Sequence, residues 1–267
     1  MFTPSENWNA LSRKERFDAR FASWMSTEER TFDTPKAEET YKRRTQRVKD
    51  IVELKKPDRV PLLPWVGGYF ATYAGFTPHD IMYDPEAYSE AWRTFNLDFD
   101  TDYLVFAGNA NPGEAFETLD YQVYRWPGRG VNEETSFQCI EDEYMHADEY
   151  DFLIDNPERF YISRYMPRAF KALAGWQILP SVFTTMELPM IPAYVIPAGL
   201  PDVQASFKAL LEAAQQALAY NSVIAENEAQ LAAATGKPSL PGGVTKAPFD
   251  IIGDTLRGTR GIMLDMY

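Results

Sequence analysis

Toward the C-terminal end, Asp250, Asp254, Arg257 and Gly261 recur at intervals of four and three residues. That spacing brings side chains onto one face of a helix. Two carboxylates one turn apart, followed by an arginine, can orient a polar substrate group or move a proton at a binding mouth, work that usually needs a shifted pKa. The same residues can form a solvated ion-pair face, since their stripe lies opposite the apolar Phe249, Ile252 and Leu256. A second candidate set is aromatic. Trp65, Tyr69, Phe70, Tyr73 and Phe106 lie near the ends of two short apolar runs. Rings so placed can wall a pocket for a flat ligand, or pack as ordinary core. Other chemistries lack their residues: no GxGxxG, no GxxxxGK followed by Ser or Thr, and no GxSxG occurs. The only histidines are His79 and His146, and the only cysteine is Cys139. Cys139 and His146, with Glu141 and Glu143 between them, offer ligand types. Phe137 and Cys139, however, share one face of a predicted strand, so the thiol reads as a buried structural group and no metal site is expected within the chain. A Cys–His catalytic pair has no supporting signal.

These residues need elements to hold them. Pro248 suits the first turn of a helix, and Phe249, Ile252 and Leu256 repeat at helical spacing after it. Trp65 and Tyr69 follow Asp58-Arg59-Val60-Pro-Leu-Leu-Pro64, an apolar run opening into Gly67-Gly68, which reads as a buried strand with its prolines in irregular or terminal positions. Asp100-Thr-Asp-Tyr103-Leu-Val-Phe106-Ala-Gly108 is a second such run. Upstream, Ser12-Arg-Lys-Glu15 is a capping box that opens a helix over 13–26, and Thr34-Pro35 opens another with Ala37, Tyr41, Val48, Ile51 and Val52 inward. Its basic residues Lys42, Arg43, Arg44, Arg47 and Lys49 are interspersed with acids and read as a solvated face. Thr77-Pro78 and Asp84-Pro85 start two more helices, the second with Tyr88, Ala91, Trp92 and Phe95 on one side. Residues 120–126 and 136–141 flank Pro127-Gly-Arg-Gly130 as a hairpin. Residues 147–174 are helical but broken by Pro157 and Pro167, and Pro180–Met186 reads as a strand. A long helix from Pro201 shows Val203, Phe207, Leu210, Leu211, Ala214 and Leu218 as its apolar pattern. Strands followed by helices, with glycines just past the strand ends, indicate an α/β protein with parallel strands, open sheet or barrel.

The totals bound the function. A hydrophobic fraction of 45% supplies a core, and a net charge of −13 argues against nucleic acid or an anionic membrane surface as partner. One cysteine precludes a disulfide within the chain and fits a reducing compartment. The N-terminus lacks the pattern of a signal peptide. The weakly charged run 176–200 carries four prolines and Glu187, which argues against a membrane helix. The last residues, Met263 to Tyr267, are apolar and lack a capping glycine or lysine, the pattern of a chain cut short.

Four segments together resemble the uroporphyrinogen decarboxylase superfamily: Arg47-Val-Lys-Asp50 through Pro57-Asp-Arg59-Val-Pro61; Asp98-Phe-Asp100-Thr-Asp102; Glu143-Tyr-Met-His-Ala-Asp148-Glu-Tyr-Asp151; and Ala247-Pro-Phe-Asp250 through Leu264. The resemblance implies a (β/α)8 barrel with its pocket at the C-terminal ends of the strands. It makes residues 1–56 a helical arm and residues 57–267 the N-terminal part of a barrel truncated at its C-terminus. Val60–Val66, Tyr103–Ala107 and Leu240–Thr245 would be the first three strands. It also implies that Asp250 and Asp254 are the catalytic candidates, and that Trp65, Gly68, Tyr69, Phe106, Asn109, Phe249 and Arg257 bind substrate. Decarboxylases of the family carry an MRQAGRY motif after the first strand, an aspartate ending the second, and a tyrosine in a PWTL…Y segment. Here Pro64–Tyr69 replaces the first, Gly108 or Asn109 stands near the second, and Asp254 stands near the third. A polycarboxylate substrate needs cations around it, so these departures favour the other branch, corrinoid-dependent methyl transfer from a small substrate. Uroporphyrinogen-type decarboxylation and a non-catalytic binding protein on the same barrel are the alternatives. The resemblance implies a cytoplasmic protein with no cofactor held by this chain, a corrinoid protein as partner, zinc or a corrinoid in the full-length protein, and a homodimer as one option. The zinc ligands of that branch come from an HxC…C pattern, expected beyond Tyr267.

Overall fold

The computed structural model describes residue 4 and residues 7–105, 111–181, 187–239 and 247–266. The helices in chain order are α1 (Arg13–Met25), α2 (Pro35–Val52), α3 (Tyr69–Ala74), α4 (Pro78–Tyr83), α5 (Pro85–Asp98), α6 (Gly113–Thr118), α7 (Tyr150–Asp155), α8 (Pro157–Phe160), α9 (Met166–Ala169), α10 (Ile191–Ala198), α11 (Pro201–Thr235), α12 (Pro248–Ile251) and α13 (Gly258–Asp265). The strands are β1 (Tyr124–Pro127), β2 (Gly130–Val131) and β3 (Gln138–Cys139). The fold is 66% helix and 5% strand, with a small mixed sheet in the order β2-β1-β3, and is not a (β/α)8 barrel. The barrel expectation is therefore corrected.

The physical reason is visible at the expected strands. Residues 60–66 form no regular element and join no sheet. Pro61 and Pro64 lack the amide a ladder needs. Leu62 instead donates its amide to the Asp102 side chain at 2.7 Å, while its carbonyl accepts from the Asp102 amide at 3.0 Å. Residues 103–105 likewise form no strand. The amide of Leu104 donates to the Pro238 carbonyl, and that of Val105 to Oδ1 of Asn96. Phe106–Ala107, Leu240–Thr245 and most of Pro180–Met186 lie outside the described residues. The hairpin reading holds for β1 and β3, which pair antiparallel with Tyr124 opposite Cys139.

The chain divides into two compact units. Unit one comprises Met1–Phe76, Glu86–Asn109 and Val223–Gly242; unit two comprises Thr77–Pro85, Ala110–Ser222 and Gly243–Tyr267. The boundary expected near Lys56 falls inside unit one. In unit one the capping box of α1 forms: the Glu15 amide donates to Ser12 Oγ at 3.3 Å and the Ser12 amide to Glu15 Oε2 at 2.7 Å. Thr34 Oγ1 accepts from the Ala37 amide at the start of α2. Helix α5 buries Tyr88, Ala91, Trp92 and Phe95, the expected face. Phe70 of α3 meets Tyr88 edge-on at 5.1 Å, and the indole of Trp92 donates to the Val105 carbonyl.

In unit two, Val123, Tyr144 and Ala169 form one core cluster, ringed by Tyr121, Tyr124, Tyr165 and Phe170. Met145, Phe160 and Leu256 form another. The helix expected after Pro248 is not continuous. α12 passes into a π-helical segment, Ile252–Arg257, and turns at Gly258, whose φ of 66° suits glycine. The stripe drawn through Asp250, Asp254, Arg257 and Gly261 on a regular helix is thereby broken. The apolar pattern expected of α11 is also divided. Val203 is buried, whereas Phe207, Leu211 and Leu218 are exposed.

Candidate functional site

In unit one the expected substrate-binding residues Trp65, Gly68 and Tyr69 lie on the segment leading into α3. Its position is set by Asp102, which is wholly buried. One Asp102 carboxylate oxygen accepts from Arg47 Nη1 and, at 2.8 Å, from Arg59 Nη2; the other accepts from the Leu62 amide. Asp58 accepts from Arg47 Nε and Nη2, both at 2.5 Å, in the two-pronged geometry that arginine favours. That pairing, chiefly through the Arg47 hydrogen bond, pulls the Asp58 carboxyl down to about 2. The same bond holds Arg47 above its ordinary value. Arg44 donates to Asp100 at 2.5 Å and to the Thr235 carbonyl at 3.0 Å. Burial pulls Arg44 down and opposes the ionised form of Asp100, yet the arginine outweighs it and lowers Asp100. Lys237, also buried, donates to the carbonyls of Asn96 and Phe99, both at 2.5 Å, closing the C-terminal end of α5; burial lowers it to about 8. These groups satisfy one another, which makes the cluster an anchor for the segment above it.

What that segment presents to solvent is aromatic and apolar. Trp65 is 68% exposed, Tyr69 58% and Tyr73 40%. The Tyr103 hydroxyl donates to the Pro64 carbonyl at 2.6 Å, one residue before the indole. Tyr69 and Tyr73 pack edge-on against Phe95, which stacks on Phe99 at 4.5 Å. Gly68 precedes the first turn of α3. A surface of this kind can stack a flat apolar group. The expected site residues Phe106 and Asn109 lie outside the described residues.

In unit two, Phe249 and Asp250 are exposed in the first turn of α12, where a carboxylate is favoured by the helix dipole. Asp254 is half-buried in the π-helical segment, and its backbone carbonyl accepts from Cys139 Sγ at 3.6 Å. Arg257 is buried and engaged by protein groups. It donates to Asp265 through Nε at 2.6 Å and Nη2 at 2.8 Å, to the Met145 carbonyl at 2.9 Å, and to Glu143. Asp265, held low chiefly by Arg257, also accepts from the Tyr150 hydroxyl. The amides of Tyr144 and Met145 both donate to the Leu256 carbonyl at 2.7 Å. Arg257 thus ties the segment around Glu143 to the last two helices.

The expectation that Cys139 is buried is corrected: the thiol is exposed, as is Phe137. A two-residue strand with no sheet beyond it leaves its side chains in water. His146 lies 3.8 Å from Glu143, and His79 stacks on Tyr83 at 4.5 Å. Among the described residues no three His, Cys, Asp or Glu groups gather to hold a metal, and no helix is long and apolar enough to cross a membrane. The residues missed in the sequence were Arg44, Arg47 and Lys237. Arg44 extends the inward i, i+3, i+4, i+7 series of Tyr41, Thr45 and Val48, a signal that the interspersed acids masked.

Searches against protein-family models, curated proteins and solved structures find no match.

Proposed function

We propose that this protein is an enzyme of the uroporphyrinogen decarboxylase superfamily's methyltransferase-like branch, acting in corrinoid-dependent methyl transfer from a small substrate. One observation supports the reading: the segments that carry the resemblance contact one another in pairs. Arg47, Asp58 and Arg59 of the first meet Asp100 and Asp102 of the second. Glu143, Met145 and Tyr150 of the third meet Leu256, Arg257 and Asp265 at the end of the fourth.

Trp65, Gly68 and Tyr69 offer, within unit one alone, a stacking surface for a flat apolar group. Asp250 and Asp254 are the acid–base candidates: the group that loses its methyl leaves with the bonding electron pair and needs a proton, which a carboxylic acid can give. A corrinoid, when bound, supplies the cobalt that accepts the methyl group, and it is assigned to a partner protein. Among the described residues no donor set suits zinc. The test incubates the protein with reduced cobalamin and separate O-methyl, N-methyl and S-methyl donors, and follows the cobalt absorption spectrum. Methylation of the cobalamin from one donor class, lowered about 100-fold or more by Asp254→Asn, is expected. No methyl transfer from any class, or formation of coproporphyrinogen from uroporphyrinogen, overturns the proposal.

A further inference from the structure

Leu54 is out of place by two measures. Its φ of 58° lies in the left-handed region, where a side chain crowds its own backbone and glycine is the usual occupant. The end of α2 demands that conformation. The Leu54 amide donates to the Ile51 carbonyl at 3.1 Å and the Lys55 amide to the Asp50 carbonyl at 2.7 Å, the pair of bonds that closes a helix around a left-handed residue. Among the described residues the other positive φ outside glycine belongs to Asp120, a type that tolerates it. Leucine gains nothing in return within the fold, because Leu54 is 94% exposed. An uncompensated backbone cost of this kind is found where a side chain serves something other than its own fold.

The stretch that follows has the same character. Val60 is 85% exposed, and Leu62, Leu63 and Trp65 are exposed with it. Their backbone is held in place. Asp58 is gripped by Arg47, the Leu62 amide donates to Asp102, and the Pro64 carbonyl accepts from the Tyr103 hydroxyl. Pro61 and Pro64 are half-buried between the exposed side chains. Cations stand beside the apolar tips. Lys55, which pairs with Glu53 at 2.6 Å, and Lys56 follow Leu54, and Arg59 precedes Val60; all three are exposed.

We infer that residues 54–65 are a peripheral membrane contact, and that its occupant is the surface of a zwitterionic phospholipid bilayer. Three observations favour that occupant. First, Leu54 and Val60 are prominences, given how little of either the chain covers. A protein partner, a second copy included, would need a pocket cut for each, whereas lipid closes around any projecting shape. Second, the residue types suit the boundary between headgroup and acyl chain. Aliphatic tips enter the apolar side, an indole sits at headgroup level, and lysine extends an apolar stem to a charged end that meets a lipid phosphate. Third, a net charge of −13 repels an anionic surface, so the neutral phospholipid is the one that admits the loop. No described helix is long and apolar enough to cross a membrane; the contact lies on the bilayer.

The test is co-sedimentation of the full chain with phosphatidylcholine vesicles, titrated in lipid. Leu54→Gly is the deciding variant, because glycine accepts the left-handed turn. Its thermal midpoint should equal or exceed that of the parent, while its partition onto the vesicles falls about 10-fold. Loss of binding then cannot be traced to loss of folding. Val60→Asn, on an exposed position, should lower partition as well, with the circular dichroism spectrum unchanged. Replacing part of the lipid with phosphatidylserine should weaken binding. No sedimentation of the parent chain with phosphatidylcholine vesicles, binding indifferent to either substitution, binding that requires phosphatidylserine, or a lowered midpoint for Leu54→Gly overturns the inference.

Discussion

Asp102 has no exposed surface, and its carboxylate answers two guanidinium groups and an amide. Removing one member of such a set leaves buried charges uncompensated, which costs about 3–5 kcal/mol. Asp102→Asn should therefore lower the unfolding free energy by that much, measured by urea titration, and a loss below about 1 kcal/mol would show the cluster to be solvated. Lys237 gives a pH signature. Its folded value, about 8, lies below the ordinary lysine value because burial opposes its charge. Between about 8 and 10.4 the unfolded chain holds a proton that the folded chain has released, so stability rises with pH across that window. Subtracting the curve of Lys237→Met from that of the parent isolates the rise; a flat or falling difference would refute it. A neutral amine still has two N–H groups for the Asn96 and Phe99 carbonyls. At this scale the caps were legible, because Ser12 and Glu15 or Thr34 and Ala37 meet within one turn. The charged core was not, since Arg47 and Asp102 are 55 positions apart and nothing local distinguishes a buried arginine from a solvated one. The candidate site divides the same way: Trp65 and Tyr69 stood out by type, whereas the cluster that seats them did not.

Helix α11 ends at Gly236, which adopts φ 62° and donates its amide to the Ala232 carbonyl. A Cβ there would lie 2.0 Å from the Ala37 carbonyl oxygen, in backbone that cannot simply rotate away. Gly236→Ala adds the left-handed penalty of about 1–2 kcal/mol to that collision. We expect a loss of at least about 2 kcal/mol by thermal or urea unfolding, with Ala234→Gly, on an exposed helical position of the same turn, costing about 1 kcal/mol as the reference. Helices α1, α2, α4 and α5 could be read from proline and cap positions, because those signals act on the backbone directly. The strands could not. An apolar run such as Val60–Val66 is consistent with a buried strand, but a strand exists only where a neighbour offers its ladder, and side-chain and terminal carbonyl groups took that place here. The apolar pattern of α11 was legible too, but the pattern did not say that Val203 would be buried and Phe207, Leu211 and Leu218 exposed.

Unit one is assembled from three stretches of chain, and its last stretch closes it: Thr235 accepts from Arg44, Pro238 from Leu104, and Ser239 from the Trp24 indole. A chain ending at Ser222 should leave those donors without partners. Hydrogen exchange would then show α2 and α5 losing protection to the level of an unfolded segment, and retained protection would contradict this division of the fold. The barrel expectation fails at the same scale, because family resemblance was carried by segments whose mutual contacts are compatible with a helical arrangement. The separation of Arg44 from Thr235 also bears on how the protein is made. They stand 191 positions apart. At about 5–20 residues per second, a ribosome needs roughly 10–40 s to travel from one to the other. For that interval a nascent chain carries the arginines of α2 and the aromatic face of α5 without their closing strap, a window in which a chaperone has more to hold than in the finished protein.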